Sequence, residues 1–202
     1  MTKIHSIFPV PIYRTSIKDI ILEKNLDYVK NKQQVSDRNE GNFTSRDSYI
    51  LKNEQFKIIK RSLMFHVNNY FKEIISTSNI IKPYITQSWL NFTTEDQFHH
   101  HHSHTNSILS GVLYISADKK HDSINFYKSH KDQIELRPRN FNLYNSGSWK
   151  FTVETGDLFL FPSRLEHSVK KKKGNNLRIS LAFNVFVKGL LGKERDLNEL
   201  SL

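Results

Sequence analysis

The chain has 202 residues, 30 Lys and Arg against 20 Asp and Glu for a net charge of +10, and 37% hydrophobic and 12% aromatic residues. That apolar content suffices for a folded core and excludes global disorder, and no apolar run reaches the roughly 18 residues of a membrane span. There is no cysteine, which excludes disulfides and thiolate metal sites and leaves His, Asp or Glu to hold any metal.

The opening MTKIHSIFPVPIY carries charge and proline where a signal peptide would carry its apolar stretch, so a cytoplasmic setting is expected. Residues 17–32 read as a first helix. The polar stretch VSDRNEGNFTSRDS (35–48) reads as a loop able to fold over something. In NEQFKIIKRSLMFHVNNYFKEIIS, Phe56, Ile59, Leu63, Val67, Phe71 and Ile74 recur at steps of three and four. That spacing predicts one buried face on a helix of about six turns.

From Ile85 the period changes. ITQSWLNFT, ILSGVLYIS, SINFY, WKFTVE, DLFLFPS and RISLAFNVFV are short β-branched and aromatic segments separated by turn signals. They predict an antiparallel sandwich or jelly roll with the N-terminal helices packed on one outer face. No internal repeat or low-complexity linker divides the chain. The expectation is therefore one domain: residues 1–84 as mostly helical support, 85–188 as the β core and 189–202 as a tail that forms a short helix.

The Lys run in VKKKKGNNLR (Val169 to Arg178) is expected at an exposed hairpin tip. The excess positive charge points to an unidentified, anionic substrate or partner: nucleic acid, an acidic metabolite or an acidic protein surface. No nucleic-acid module is recognisable, and the charge does not distinguish these or an oligomeric state.

Five of the ten histidines lie between His99 and His104. On an extended strand, residues two apart point the same way, so His102/His104, His99/His101 and His100/His102 can each aim at one ion. The run alone does not choose among them. Chelation needs a third ligand from elsewhere, and the candidate is His167 in GDLFLFPSRLEHSV. Eleven residues later, Arg178, Ser180, Ala182 and Asn184 share one face of a strand, with Leu181, Phe183 and Val185 on the other. An inward Arg and Ser are costly unless something anionic meets them.

Together, His-Ser-His at 102–104, His167 and Arg-Ile-Ser at 178–180 resemble the Fe(II)/2-oxoglutarate-dependent dioxygenase superfamily. More narrowly, IFPVPIY, SWLNF, HSHTNSILSGVLYI, INFY, GDLFLFPSRLEHSV and RISLAFN resemble a 2OG-Fe(II) oxygenase family of bacteria and marine phages. The resemblance implies a double-stranded β-helix, mainly β with N-terminal helices. It implies Fe(II) on His102, His104 and His167, with 2-oxoglutarate as cosubstrate on Arg178, Ser180 and Tyr114. Trp89, Asn91 and Asn184 would line the pocket. The implied activity is hydroxylation of a substrate, with conversion of 2-oxoglutarate to succinate and CO2, in the host cytoplasm if the chain is viral.

One departure stands out. The superfamily has Asp or Glu where this chain has His104, so the ion keeps its full charge until a dianion binds, and Zn, Cu or Ni also suit the site. Glu166 is expected to face away and Asp157 to sit on a turn, while Glu95 and Asp96 are candidates to orient an imidazole. His99, His100 and His101 are assigned to the pocket rim, and His66, His121 and His130 to structural or solvated roles. The competing readings are a cupin-like three-His metalloenzyme without 2-oxoglutarate and a non-catalytic jelly-roll binding module.

Overall fold

Two α-helices, α1 (Glu23–Gln33) and α2 (Lys57–Tyr70), precede most of the strands in a computed structural model that describes residues 2–129, 134 and 136–202. His130 lies outside the described residues. In α2, Ile59, Leu63 and Val67 recur at steps of four and are fully buried, as their spacing predicts. The helix is shorter than expected because a 3-10 turn (Glu54–Phe56) leads in and a π turn (Phe71–Ile75) leads out. A π turn holds more residues per turn, so the apolar stripe slips: Phe71 stays buried but Ile74 is 39% exposed. The first helix starts later than the sequence suggested, after a 3-10 turn at Lys18–Ile20. Among the described residues no helix is long and apolar enough to cross a membrane.

The described strands are β1 (Tyr13–Ser16), β2 (Ser36–Arg38), β3 (Phe43–Ser45), β4 (Ile81–Thr93), β5 (His99–His102) and β6 (Leu109–Ser116). They continue as β7 (Ser123–Tyr127), β8 (Ser148–Thr152), β9 (Asp157–Pro162), β10 (His167–Val169), β11 (Arg178–Leu191) and β12 (Leu200–Ser201). A large sheet runs β1-β9-β6-β11-β4-β3-β2, with β12 added to β11, and a small sheet runs β5-β10-β7-β8. All these ladders are antiparallel, giving the double-stranded β-helix.

The period of two in each strand divides its side chains between two cores. On β6, Val112 and Tyr114 face the space between the sheets, while Leu113 and Ile115 face the helices. On β9, Phe159 and Phe161 join the first group, and Leu158 and Leu160 the second. Leu181, Phe183 and Val185 of β11 pack on the helix side with Leu63 and Val67, which leaves Arg178 and Ser180 facing the small sheet.

Three segments differ from the sequence reading. The stretch 35–48 is the β2–β3 hairpin at the edge of the large sheet, not a loop. Edge strands need no apolar alternation, so the pattern was silent. The tail is a 3-10 turn (Glu194–Asp196) and β12, not a helix: Gly189 and Gly192 have φ of +119° and +69°, and the tail folds back so that Gly189 and Leu202 exchange two backbone hydrogen bonds of 3.0 Å. The Lys run is not uniformly exposed. Lys172 is 2% exposed, donates to the Gly174 carbonyl and Asn176 Oδ1 at 2.7 Å each, and lies 3.9 Å from buried Asp122. The turn is clamped against the loop at 118–122 by this lysine, while its three sequence neighbours stay exposed.

Gly111 of β6 lies opposite Phe183 of β11, and a Cβ there would come within 2.1 Å of the Phe183 ring. Gly111→Ala is expected to destabilise the protein by about 1–3 kcal/mol, as overpacking does, in urea denaturation. Gly147→Ala, which meets nothing within 4 Å, is the control and should change stability by less than about 0.5 kcal/mol.

Candidate metal centre

Strand pairing brings distant histidines together. β10 pairs with β5 so that His167 stands directly opposite His102. His104 lies just beyond β5, where its backbone N–H donates to the Ser163 carbonyl at 2.9 Å and pins the loop to the end of β9. One ring nitrogen from each of His102, His104 and His167 falls within 4.8 Å of the others, close enough to share a cation.

The tautomers follow from the partners. His102 Nδ1 lies 2.9 Å from the His100 carbonyl, and His167 Nδ1 lies 3.0 Å from the Leu165 carbonyl. A carbonyl oxygen only accepts, so each Nδ1 carries the proton and each Nε2 keeps its lone pair for a metal. Burial, reinforced by neighbouring imidazoles, pushes His167 down to about 3 and His104 to about 4, and lowers His102 as well. All three are therefore neutral ligands near pH 7.

Backbone carbonyls thus do the orienting expected of Glu95 and Asp96. Asp96 instead pairs with Lys171 at 3.1 Å, and Glu95 is exposed. Glu166 faces away as expected and meets His101 Nε2 at 3.1 Å, and Asp157 is bound by Arg14 at 2.7 Å. The rim assignment holds for His101, whose ring stacks on Tyr127 at 4.2 Å, but not for His99. His99 lines the inner cleft with Arg178, and burial drives it down to about 2. With His100 and His102 it forms a second group whose nitrogens lie within 4.8 Å, so the histidine run is crowded around His102.

Arg178 opens β11 opposite Thr93 of β4 and is 2% exposed. Its Nη2 donates to Thr93 Oγ1 at 3.1 Å, whereas Nε and Nη1 are buried with no partner. Burial lowers its pKa, yet a guanidinium stays protonated, so a cation with open donors is stored in the cleft. Tyr114 and Ser180 stand opposite one another on β6 and β11 and line the same cleft. Burial raises the Tyr114 phenol well above its ordinary pKa, which keeps its proton available for donation. Asn91 lines the cleft with a buried, unpartnered Oδ1, and the Trp89 ring lies 5.7 Å from that of His104.

Asn184 is placed differently. A bulge between Phe183 and Val185 shifts the register, and Asn184 lines an adjoining outer groove, where Ser110 Oγ donates to its Oδ1 at 2.9 Å. The sequence reading also passed over Thr93, although Trp89, Asn91 and Thr93 fall on one face by the period of two. The donor set fits a divalent cation beside a small organic diacid: neutral imidazole nitrogens and a guanidinium with two unpaired nitrogens line one cleft.

The fold is a double-stranded β-helix, and its inner cleft holds a three-imidazole candidate metal centre. Residues 87–184 match the family described as "Putative 2OG-Fe(II) oxygenase". That segment, just under half of the chain, is similar to the 2OG-Fe(II) oxygenases. Among solved structures it is similar to a 2OG-Fe(II) oxygenase family oxidoreductase from Burkholderia pseudomallei, with 12% identity, TM-score 0.59 and coverage of 86% of this chain and 83% of that one. HygX from Streptomyces hygroscopicus, with nickel and 2-oxoglutarate bound, gives 12%, 0.60, 87% and 82%. A Pseudomonas putida prolyl-4-hydroxylase gives 11%, 0.59, 87% and 92%. At such identities the likeness concerns the fold alone. No curated protein matches the chain.

A buried cation with two nitrogens unpaired is expected to weaken the empty protein. Arg178→Met should therefore stabilise the metal-free, diacid-free protein in urea denaturation, by an amount on the order of 1 kcal/mol or more. A clear loss of stability would mean that the arginine is satisfied in the resting fold.

Proposed function

We propose that this chain is an Fe(II)/2-oxoglutarate-dependent oxygenase that hydroxylates its substrate while 2-oxoglutarate is converted to succinate and CO2. His102, His104 and His167 would hold the iron through Nε2 of the first and last and a ring nitrogen of His104. The observation that carries this reading is Arg178, which is buried beside the three imidazoles with two of its nitrogens unpaired. A diacid's distal carboxylate would satisfy both, with Ser180 and the Tyr114 hydroxyl as further donors.

The bound iron and cosubstrate supply the oxidising chemistry. The chain's part is placement and protection. The His102 and His167 rings are oriented by carbonyls and all three imidazoles stay neutral, so the cosubstrate's two negative charges would be met by the ion and by Arg178, with no carboxylate ligand to oppose them. Val112, Ile124 and Phe161 form apolar walls that keep bulk water from the cleft. A reducing, cytoplasmic setting suits an enzyme that depends on Fe(II) and has no cysteine.

A second reading is favoured by the missing carboxylate: an imidazole-only site also suits Zn, Cu or Ni without 2-oxoglutarate. Thermal denaturation with Mn(II), with and without 2-oxoglutarate, separates the two. Saturating ligand at 100 times its Kd should add about 2.7 kcal/mol of stability. We expect a metal shift, a further increment from 2-oxoglutarate only when metal is present, loss of both in His167→Ala, and loss of the increment alone in Arg178→Ala. A metal shift that 2-oxoglutarate leaves unchanged in the wild type would establish the second reading.

A further inference from the structure

An outer groove meets the metal centre at His104 and Trp89, which line both it and the inner cleft. Its volume of about 630 Å³ lies within the range of ligand-sized sites. Its chemistry is unusual for such a site. Apart from Trp89 and His104, every lining side chain ends in a hydroxyl or a carboxamide, and none bears a fixed charge. This occurs in a chain of net charge +10. Two fixed charges come close to its edge: the Lys52 ammonium, held 4.0 Å from the centre of the Tyr49 ring, and the Asp47 carboxylate, which accepts the Tyr49 backbone N–H at 2.8 Å.

The polar floor is built rather than incidental. Thr86 donates to the Asn184 carbonyl at 3.2 Å, and Ser110 holds the Asn184 carboxamide at 2.9 Å. Ser110 is in turn 2.8 Å from Ser163, which is 2.8 Å from Ser107. Ser163 also accepts the His104 backbone N–H at 2.9 Å, so groove floor and metal ligand hang on one residue. Asn106, another lining residue, sits at a φ of +51°, a left-handed conformation that asparagine tolerates better than most residues.

These walls select by exclusion. An anion would find no cationic side chain among the lining residues, and an apolar ligand would leave hydroxyls and carboxamides unpaired. A ligand that donates and accepts on many sides, yet has a C–H face to lay near an indole, leaves nothing unmet. We propose that the groove binds an uncharged, polyhydroxylated substrate, a carbohydrate unit, and holds one of its C–H bonds beside His104. This deepens the oxygenase reading and rests on it for the reaction, though not for the binding.

The test is saturation-transfer NMR on the full chain with Zn(II) and 2-oxoglutarate, a combination that does not turn over. The probes are maltohexaose, cellohexaose and chitohexaose against a heparin hexasaccharide and hexathymidylate. At least one neutral saccharide should bind and weaken about tenfold or more in Gln87→Leu, which removes one groove carboxamide at an exposed position. The anionic probes should show no binding that depends on Gln87. Absence of binding by every neutral saccharide, or anion binding lost in Gln87→Leu, overturns the inference. Saccharide binding without the 2-oxoglutarate increment would uphold the groove and reject the oxygenase reading, and the converse pattern would do the reverse.

Discussion

A guanidinium that is 2% exposed, with one hydrogen bond to Thr93 and two nitrogens unpaired, sets the terms for everything in the inner cleft. Leaving a buried ion short of partners costs several kcal/mol, and folded chains keep such groups where a ligand completes them. The unmet donors require an anion, and their place beside three neutral imidazoles limits which anion suffices. A diacid that reaches the ion with one end and Arg178 with the other answers both demands. The cleft is thus a stored electrostatic imbalance that its ligands relieve.

The scaffold that maintains the imbalance is the pairing of strands. β5 and β10 bring His102 and His167 face to face, and across the opposite sheet β4 and β11 set Thr93 against Arg178 while β4, β11 and β6 line up Asn91, Ser180 and Tyr114. The apolar layers on both sides of the large sheet keep these strands in register, since a slip by one residue would turn Arg178 toward the helices. Carbonyls of His100 and Leu165 then set the tautomers of His102 and His167. The result is a site whose charge is positive until its cosubstrate arrives. That state suits ordered binding of a dianion.

Much of this was legible in the sequence because period-two alternation and ligand spacing are local signals. The strands of the β core and the two faces of β11 followed from them, whereas the choice of His102 and His104 within the histidine run, with His167 as third ligand, came from the family resemblance. What escaped was governed by tertiary context. The β2–β3 hairpin lies at a sheet edge and lacks the apolar pattern; the tail pairs with β11 through two glycines; a π turn moved Ile74 off the buried stripe. Lys172 looked solvated because its acidic partner, Asp122, is fifty residues away. His99 looked like rim because nothing in a run of like residues says which one turns inward.

The central claim is that Arg178 and the three imidazoles form one receptor for an ion and a diacid. The direct measurement is an anaerobic crystal structure with Mn(II) and 2-oxoglutarate. The account predicts one ion on His102, His104 and His167, and a distal carboxylate within hydrogen-bond distance of Arg178 Nε or Nη1. An ion held instead by His99, His100 and His102, or a diacid that binds away from Arg178, would contradict it.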